Sequence, residues 1–452
     1  MYLENKRVLI LGMGITGISS VKAIYNLGAK ITITDTKTEE QLFDVLNQLK
    51  DIPMERYLGV DDMDLSGIDL VIKSPGIPPK AKIIQKAIDS NIEVITDIEI
   101  AYRLLKEDNF IAITGTNGKT TCTTLIGEIL KKAGLTTYVV GNIGTGILEK
   151  INQAQKDDVF VIECSSFQLE HTRSFKPKIA LITNITPDHI DWHGSLENYS
   201  NAKMKIFKNQ NIDDYTVLNH DDEVLKNIGE KVKSNILWFS IKEKLTKGIY
   251  IEDEYIVIND GEKIVKLMAY DELKILGKHN LENALGCIGV ALAMDIDFHT
   301  INEVLSTFMG VEHRIEFVAT KKGISFYNDS KGTNSDASIK AIEAVRSPII
   351  LIAGGYDKGG DFDSLIKAFN GKVKALVLLG QTKDKIKNTA LQNGFNHIYE
   401  ANTFEEAVEL SYSIGESGDN VLLSPACASW DMFENYEMRG KIFKDIVRNL
   451  VE

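Results

Sequence analysis

The chain has 452 residues, of which 44% are hydrophobic, 8% aromatic and 25% charged, a composition of folded globular proteins and not of disordered or fibrous ones. Acids (64) exceed bases (51), giving a net charge of −13, which argues against the broad basic face that duplex nucleic acid requires. At roughly 150 residues per domain the length allows about three domains, and no apolar run reaches the ~18 residues of a membrane span.

From Met1 the chain runs straight into an apolar strand, without a signal-peptide pattern. Cys122, Cys164, Cys287 and Cys427 form no C-x-x-C pair and read as reduced thiols of a cytoplasmic protein.

The predicted elements share one rhythm, a short apolar run ending in Gly or an acid and then a helical stretch. That is the βαβ signature of parallel sheets. The first block opens with Arg7-Val8-Leu9-Ile10-Leu11, passes through Gly12-Met13-Gly14-Ile15-Thr16-Gly17 into a helix, and continues with strands ending at Asp35 and at Ser74-Pro75-Gly76. Its G-x-G-x-x-G lies between strand and helix, where glycines allow a tight turn and close backbone approach and the helix N-terminus favours an anion. Asp35 is positioned to accept hydrogen bonds. Alone, this block suits a nicotinamide-dependent dehydrogenase, a sugar-diphosphate binder, or a turn needed only for packing.

In the second block Phe110-Ile111-Ala112-Ile113 leads into Thr114-Gly115-Thr116-Asn117-Gly118-Lys119-Thr120-Thr121. The full G-x-x-x-x-G-K-[ST] pattern would place Gly where this chain has Ile113. The working parts remain: backbone N–H groups to cradle phosphates, Lys119 to neutralise them and Thr120 to ligate Mg²⁺. Two further strands end in Glu163-Cys164-Ser165-Ser166-Phe167-Gln168 and in the stretch from Asn184 to Trp192, which contains Asp188, His189 and Asp191. Ligands of open α/β sheets bind at the carboxyl ends of strands, so Glu163 and His189 are expected to converge near Lys119 on a divalent cation. Singly, each reads more readily as a surface or capping residue. Residues 240–270 alternate in polarity and predict a small antiparallel insertion.

The third block follows His313-Arg314. Its strands, near 324–327, 348–353, 375–379 and 421–423, alternate with loops containing Asn328-Asp329-Ser330-Lys331-Gly332-Thr333-Asn334 and Gly354-Gly355-Tyr356-Asp357-Lys358. Cations at such strand ends suit negative charge developing on a phosphoryl group. Block boundaries fall near 97–109 and 298–313.

In this fixed order, the 114–121 turn, Gly277-Lys278-His279-Asn280-Leu281-Glu282-Asn283 and His313-Arg314 resemble motifs of the Mur ligases, the ATP-dependent amide-forming enzymes of peptidoglycan precursor synthesis. Ser165 to Glu170, Asn328 to Asn334 and Leu423-Ser424-Pro425-Ala426-Cys427-Ala428-Ser429 are similar to the D-glutamate-adding branch of that family. The resemblance spans essentially the whole chain.

It implies an α/β fold of three domains: a Rossmann-like N-terminal domain at 1–97 that binds UDP, a P-loop mononucleotide-binding central domain at 98–310 for ATP, and a Rossmann-like C-terminal domain at 311–452 for the incoming amino acid. The first glycine turn is thereby reassigned from a nicotinamide cofactor to the uridine diphosphate of UDP-N-acetylmuramoyl-L-alanine. Carried over by motif, Ile15, Thr16, Asp35, Thr36 and Gly76 would line that diphosphate, with Asn142 and Ser165 at the muramoyl-alanine end. Gly115, Thr116, Asn117, Gly118, Lys119, Thr120, Thr121, Asn280, Asn283, Arg314 and Asp329 would serve ATP. Thr333, Lys358, Ser429 and Tyr436 would hold D-glutamate beside Lys331.

Two Mg²⁺ ions would be held by Thr120, Glu163, His189 and Lys203. The resemblance makes Lys203, in Tyr199-Ser200-Asn201-Ala202-Lys203, a carbamylated lysine, since a plain ammonium beside two cations would be repelled. Without the resemblance it reads as a solvated helix lysine. Lys119, Lys203, His189, Arg314 and Lys331 would carry the catalysis. ATP would phosphorylate the alanyl carboxylate, and the D-glutamate amine would attack the acyl phosphate. The expected protein is a cytoplasmic monomer with no nucleic-acid partner, serving cell-wall biogenesis, cell shape and cell division. A nicotinamide oxidoreductase would leave Lys119 and the third block without a role. A folylpolyglutamate synthase, the nearest competitor in chemistry, would lack the uridine-type first block.

Overall fold

The apolar runs of the first block become β1 (Arg7–Leu11), β2 (Lys30–Asp35), β3 (Met54–Leu58), β4 (Leu70–Lys73) and β5 (Glu93–Ile95), all parallel, in the order β3-β2-β1-β4-β5. The computed structural model describes residues 3–105, 109–142, 146–151, 153–275 and 277–451. Val8 to Leu11 and Leu70 to Lys73 are buried throughout, as strands covered on both faces must be. The order reverses between β1 and β4, so their carboxyl ends border the crevice in which such sheets bind ligands. The turn after β1 is held tightly against its helix, Ile15–Tyr25. A Cβ at Gly17 would lie 2.1 Å from the Gly12 carbonyl oxygen, and Gly12 itself has φ +89°.

The second sheet has nine strands. They are β6 (Phe110–Thr114), β7 (Thr137–Gly141), β8 (Val159–Glu163), β9 (Ile179–Ile182), β10 (Tyr215–Asn219), β11 (Asn235–Ser240), β12 (Gly248–Glu252), β13 (Tyr255–Asn259) and β14 (Ile264–Ala269), in the order β14-β13-β12-β11-β10-β9-β6-β8-β7. The segment expected to form a small antiparallel insertion is antiparallel from β12 to β14. β12 pairs in parallel with β11 through Phe239 and Ser240, so the segment extends the central sheet. Gly248 permits this by close approach, since a Cβ there would sit 2.5 Å from the Trp238 carbonyl oxygen.

The helix Asp97–Leu105 ties the first two sheets together. Glu99 on this helix is fully buried. Its carboxylate accepts from the backbone N–H groups of Arg173 (2.8 Å), Ser174 (2.9 Å) and Phe175 (3.0 Å) and from Arg103 Nε (2.7 Å). Burial pushes this carboxyl up, but hydrogen bonds from Ser174 and Arg173 outweigh it and hold it below the ordinary range. Removing such an acceptor strands several buried donors, at about 1–3 kcal/mol each. Tyr102 on the same helix packs edge-on against Phe110 and Phe175, each at 5.8 Å. One apolar core accordingly runs from Val8 and Ile72 through Ile98 and Ile100 to Phe110 and Phe160.

The third sheet comprises β15 (Glu316–Lys321), β16 (Ile324–Asn328), β17 (Ile349–Ala353), β18 (Val373–Leu378), β19 (Ile398–Glu400) and β20 (Asn420–Leu423), in the order β15-β16-β20-β17-β18-β19. Only the β15–β16 pair is antiparallel, and separate apolar clusters cover the two faces. The three domains fall into two compact units, Met1–Tyr270 with Glu282–Leu305, and Asp271–Leu281 with Ser306–Glu452. Among the described residues no helix is long and apolar enough to cross a membrane.

Candidate functional site

At the first sheet, Asp35 ends β2 and turns its carboxylate onto the backbone. Oδ2 accepts from Met13 N at 2.7 Å and Oδ1 from Lys37 N at 2.9 Å. Ser74, after β4, donates to the Gly12 carbonyl at 2.9 Å. The turns after β1, β2 and β4 are thereby locked to one another, bringing Ile15, Thr16, Asp35, Thr36 and Gly76 to one edge. Ile15 is exposed at the first turn of its helix, and Gly14 before it gives no side-chain cap, so the helix N-terminus offers bare N–H groups.

In the second sheet, β6 lies between β8 and β9, and the 114–121 turn follows it. Gly115 has φ +147°, and a Cβ there would meet Thr183 Oγ1 at 1.9 Å. Thr183 and Asn184, just after β9, fix the turn, a bracing role that their place in the sequence does not announce. Asn184 Oδ1 accepts from Asn117 N at 2.9 Å, the Asn184 carbonyl accepts from Thr116 N at 2.9 Å, and Thr183 Oγ1 donates to the Asn117 carbonyl at 2.5 Å. The Gly118–Lys119 junction opens the helix Lys119–Lys132. Lys119 Nζ folds back onto the carbonyls of Gly115 (3.0 Å) and Thr116 (2.8 Å). Asn283 lies against Gly118, where a Cβ would stand 2.1 Å from its Oδ1. Thr120 and Thr121 are buried.

Lys203 is not a solvated helix lysine. It is 1% exposed, its Nζ donates to the Gly115 carbonyl at 2.7 Å, and it lies 4.6 Å from the centre of the Tyr199 ring. Burial, and then the charge of Lys119, push its ammonium well below the ordinary lysine value. Tyr199 shares a 3.1 Å hydrogen bond with Thr116 Oγ1, and burial pushes its phenol up to about 12.

Glu163 ends β8 in register with Ile113 of β6. Asn142 Nδ2 donates to its Oε1 at 3.0 Å. Its Oε2 is buried with no hydrogen-bond partner among the described residues, and a buried carboxylate oxygen of this kind fits a cation. His189, at φ +51°, leans on Phe167 with ring centres 4.8 Å apart and has Nε2 3.6 Å from Asp188 Oδ2. The loops after β8 and β9 therefore meet. Among the described residues no three His, Cys, Asp or Glu side chains gather into a metal cage. Mg²⁺ does not need one, since it takes one or two protein carboxylates and completes its shell with phosphate oxygens and water. Ser165 lies close by, its hydroxyl already engaged with Gln168.

In the third sheet, the carboxyl ends of β16, β20 and β17 come together. Asp329 is buried, with Oδ2 accepting from Ser424 Oγ at 2.6 Å. Burial pushes its carboxyl up to about 7 against that bond and the nearby Arg314 charge. Lys331 Nζ lies 5.4 Å from the Tyr436 ring centre. Tyr356 bridges to Ala428, bringing the Lys358 loop to Ser429. Arg439, which no sequence motif marked, is 1% exposed and ties these loops by Nη2 to the Ser330 carbonyl (2.7 Å), Nε to Ser330 Oγ (2.9 Å) and Nη1 to the Cys427 carbonyl (3.2 Å). Its signal was faint: one arginine three residues into a helix beginning at Tyr436. His313, also buried, has Nδ1 2.9 Å from Asn328 Nδ2.

Models of three domains match the chain: the MurD-like N-terminal domain of Mur ligases over residues 6–96, the Mur ligase middle domain over 113–291, and the Mur ligase glutamate ligase domain over 313–427. The chain is 48% identical over 453 residues to a UDP-N-acetylmuramoylalanine--D-glutamate ligase from Caldanaerobacter subterraneus and 47% identical over 451 residues to one from Clostridioides difficile, covering 100% of each chain in both cases. Among solved structures, a UDP-N-acetylmuramate-alanine ligase from Thermotoga maritima is similar at TM-score 0.60 and 19% identity (98% of this chain, 99% of that one). A pseudomurein peptide ligase type C from Methanothermus fervidus is similar at TM-score 0.59 and 20% identity, with the same coverage.

Proposed function

The chain belongs to the Mur ligase family, and we propose that within it this protein joins D-glutamate to UDP-N-acetylmuramoyl-L-alanine, driven by ATP, in peptidoglycan precursor synthesis. It is an ATP-dependent, amide-bond-forming ligase. The observation that carries the reading is 48% identity along the full length to a relative of that name. In the same reading, residues 1–97 hold the uridine diphosphate, 98–310 hold ATP and 311–452 hold D-glutamate, a division supported by the three sheets. The protein acts as a cytoplasmic monomer on small molecules, without nucleic acid.

A carboxylate is a poor electrophile, so the alanyl carboxylate first takes the γ-phosphoryl group of ATP, releasing ADP. The amine of D-glutamate then attacks the acyl-phosphate carbon, and the tetrahedral intermediate expels phosphate. Lys119 exchanges the carbonyls of Gly115 and Thr116 for the β- and γ-phosphates. Asn280, Asn283, Arg314 and Asp329 flank the nucleotide. Lys331, Thr333, Lys358, Ser429 and Tyr436 orient D-glutamate. The first glycine turn and Asp35 fix the far end of the substrate, so that the reacting carboxylate is presented in one geometry.

Thr120, Glu163, His189 and a modified Lys203 would hold two Mg²⁺ ions, which would screen the repulsion between carboxylate and γ-phosphate. Glu163, with one buried oxygen unpartnered, supports the first ion. For Lys203, burial favours the neutral amine, which is the nucleophile needed for carbamylation. Its nitrogen adds to the carbon of CO₂, one C=O electron pair moves to oxygen, and a proton leaves to water, giving a carbamate anion.

The two-step course is tested by incubating the protein with ATP, Mg²⁺ and UDP-N-acetylmuramoyl-L-alanine without D-glutamate and reducing with borohydride. An acyl phosphate yields the alcohol of the alanyl group. Unreduced substrate alone, under conditions that support full turnover, would contradict it.

A further inference from the structure

Ser165 rests on two buried residues that the reaction as described does not use. Gln168 is 2% exposed and Asp97 4% exposed, whereas Ser165, at 9%, is the outermost of the three. Gln168 Nε2 donates toward both Asp97 oxygens, at 3.2 and 3.1 Å. Gln168 Oε1 accepts from the Ser165 backbone N–H at 3.1 Å. The Gln168 carbonyl is itself clamped by Thr96 Oγ1 at 2.8 Å.

This set fixes the orientation of the Gln168 amide. A carboxamide offers donors on nitrogen and an acceptor on oxygen, and a backbone N–H can only donate. The Ser165 N–H therefore fixes which end of the Gln168 amide faces it, whatever proton Asp97 carries. With Oε1 facing Ser165, the serine hydroxyl, 3.1 Å away, gives its single proton to that oxygen. Ser165 Oγ also accepts the backbone N–H of Gln168, at 3.2 Å. In this arrangement the proton points at Oε1, and one lone pair remains on Oγ.

We propose that Asp97 and Gln168 position Ser165 so that its hydroxyl meets the substrate as a hydrogen-bond acceptor, reading the N–H of the amide that joins the lactoyl group to alanine. The acetamido group of the sugar also carries an N–H, but Ser165 lies two residues from Glu163, the metal-binding candidate at the reacting end, so the alanine amide is the nearer match. The inference rests on the substrate proposed above. It makes Ser165 a specificity-determining residue, and Gln168 and Asp97 positioning residues.

The test compares kcat/KM for UDP-N-acetylmuramoyl-L-alanine with that for the ester analogue carrying L-lactate in place of L-alanine, which keeps the carboxylate and the sugar but replaces the N–H by an oxygen. The wild-type protein should prefer the amide by about tenfold or more, since the ester sets a lone pair against a lone pair. Ser165→Ala should treat both substrates alike, Ser165→Thr should retain the preference, and Gln168→Met should narrow it with KM for ATP unchanged. Equal use of amide and ester by the wild-type protein, an arm that needs no variant to fold, overturns the inference, as does a preference that survives Ser165→Ala. Failure of the wild-type protein to turn over the amide substrate at all overturns the proposed function instead.

Discussion

Two glycine turns in one compact unit each end a parallel strand and open a helix, yet they are held in opposite ways. The Gly12–Gly17 turn contains no cation, and a carboxylate, Asp35, holds its backbone from behind. The 114–121 turn is braced by neutral groups, Thr183 and Asn184, and carries two lysines on its carbonyls, Lys119 on Gly115 and Thr116 and Lys203 on Gly115. A turn that only anchors a diphosphate needs shape and backbone N–H groups. A turn where a phosphoryl group is transferred needs positive charge that can shift as charge develops.

The strongest way to break this contrast is Lys119→Ala. It should lower kcat on the order of 10³-fold while leaving the uridine-nucleotide Kd, measured by calorimetry, where it was. A parallel loss of uridine-nucleotide binding would mean that the two turns do not divide the work. Next is Lys203→Ala, expected to lose on the order of 10²-fold in kcat and to regain part of it with added short carboxylates. Wild-type rates in that variant would sink the carbamate. Asp35→Ala should act in the other direction, raising KM for the uridine substrate about tenfold through loss of backbone restraint on the first turn. KM for ATP should not move, and a rise there would count against the division.

The smallest effect concerns the third sheet, where a buried carboxylate stands without the solvation that Asp35 retains. Asp329 has its carboxyl raised to about 7 from an ordinary 3.8. Between those pH values the native state binds more protons than the unfolded one, so stability should fall as pH rises, with a slope on the order of 1 kcal/mol per pH unit from this group. Asp329→Asn should flatten that slope in denaturation curves between pH 4 and 7. An unchanged slope would show that Asp329 is ionised and well paired throughout.

How much of this was legible in the sequence follows from what each feature depends on. Strands buried on both faces, such as Val8 to Leu11 and Ile349 to Ala353, announce themselves as apolar runs. Met54–Leu58 is mostly exposed and Ile398–Glu400 is a short edge strand, and neither carries such a run. Glycine turns were readable because backbone geometry demands glycine at Gly12, Gly17 and Gly115. The segment of Lys203 is misleading by itself, because a helix of low amphipathicity gives no sign of which lysine lies beneath a neighbouring loop. Asp97 and Arg439 are silent for a related reason, and Gln168, although it lies in the Ser165 to Glu170 motif, gives no sign of its partner Asp97. Their roles arise from contacts across 71 and 109 residues of sequence, and no local spacing encodes those.

The central claim is that this ligase selects D-glutamate, and phosphate release tests it most directly. Purified protein is given ATP, Mg²⁺ and UDP-N-acetylmuramoyl-L-alanine with D-glutamate, L-glutamate, L-alanine or meso-diaminopimelate in turn. The account predicts sustained phosphate release with D-glutamate alone. Sustained release with any of the other three, or none with D-glutamate, would contradict it.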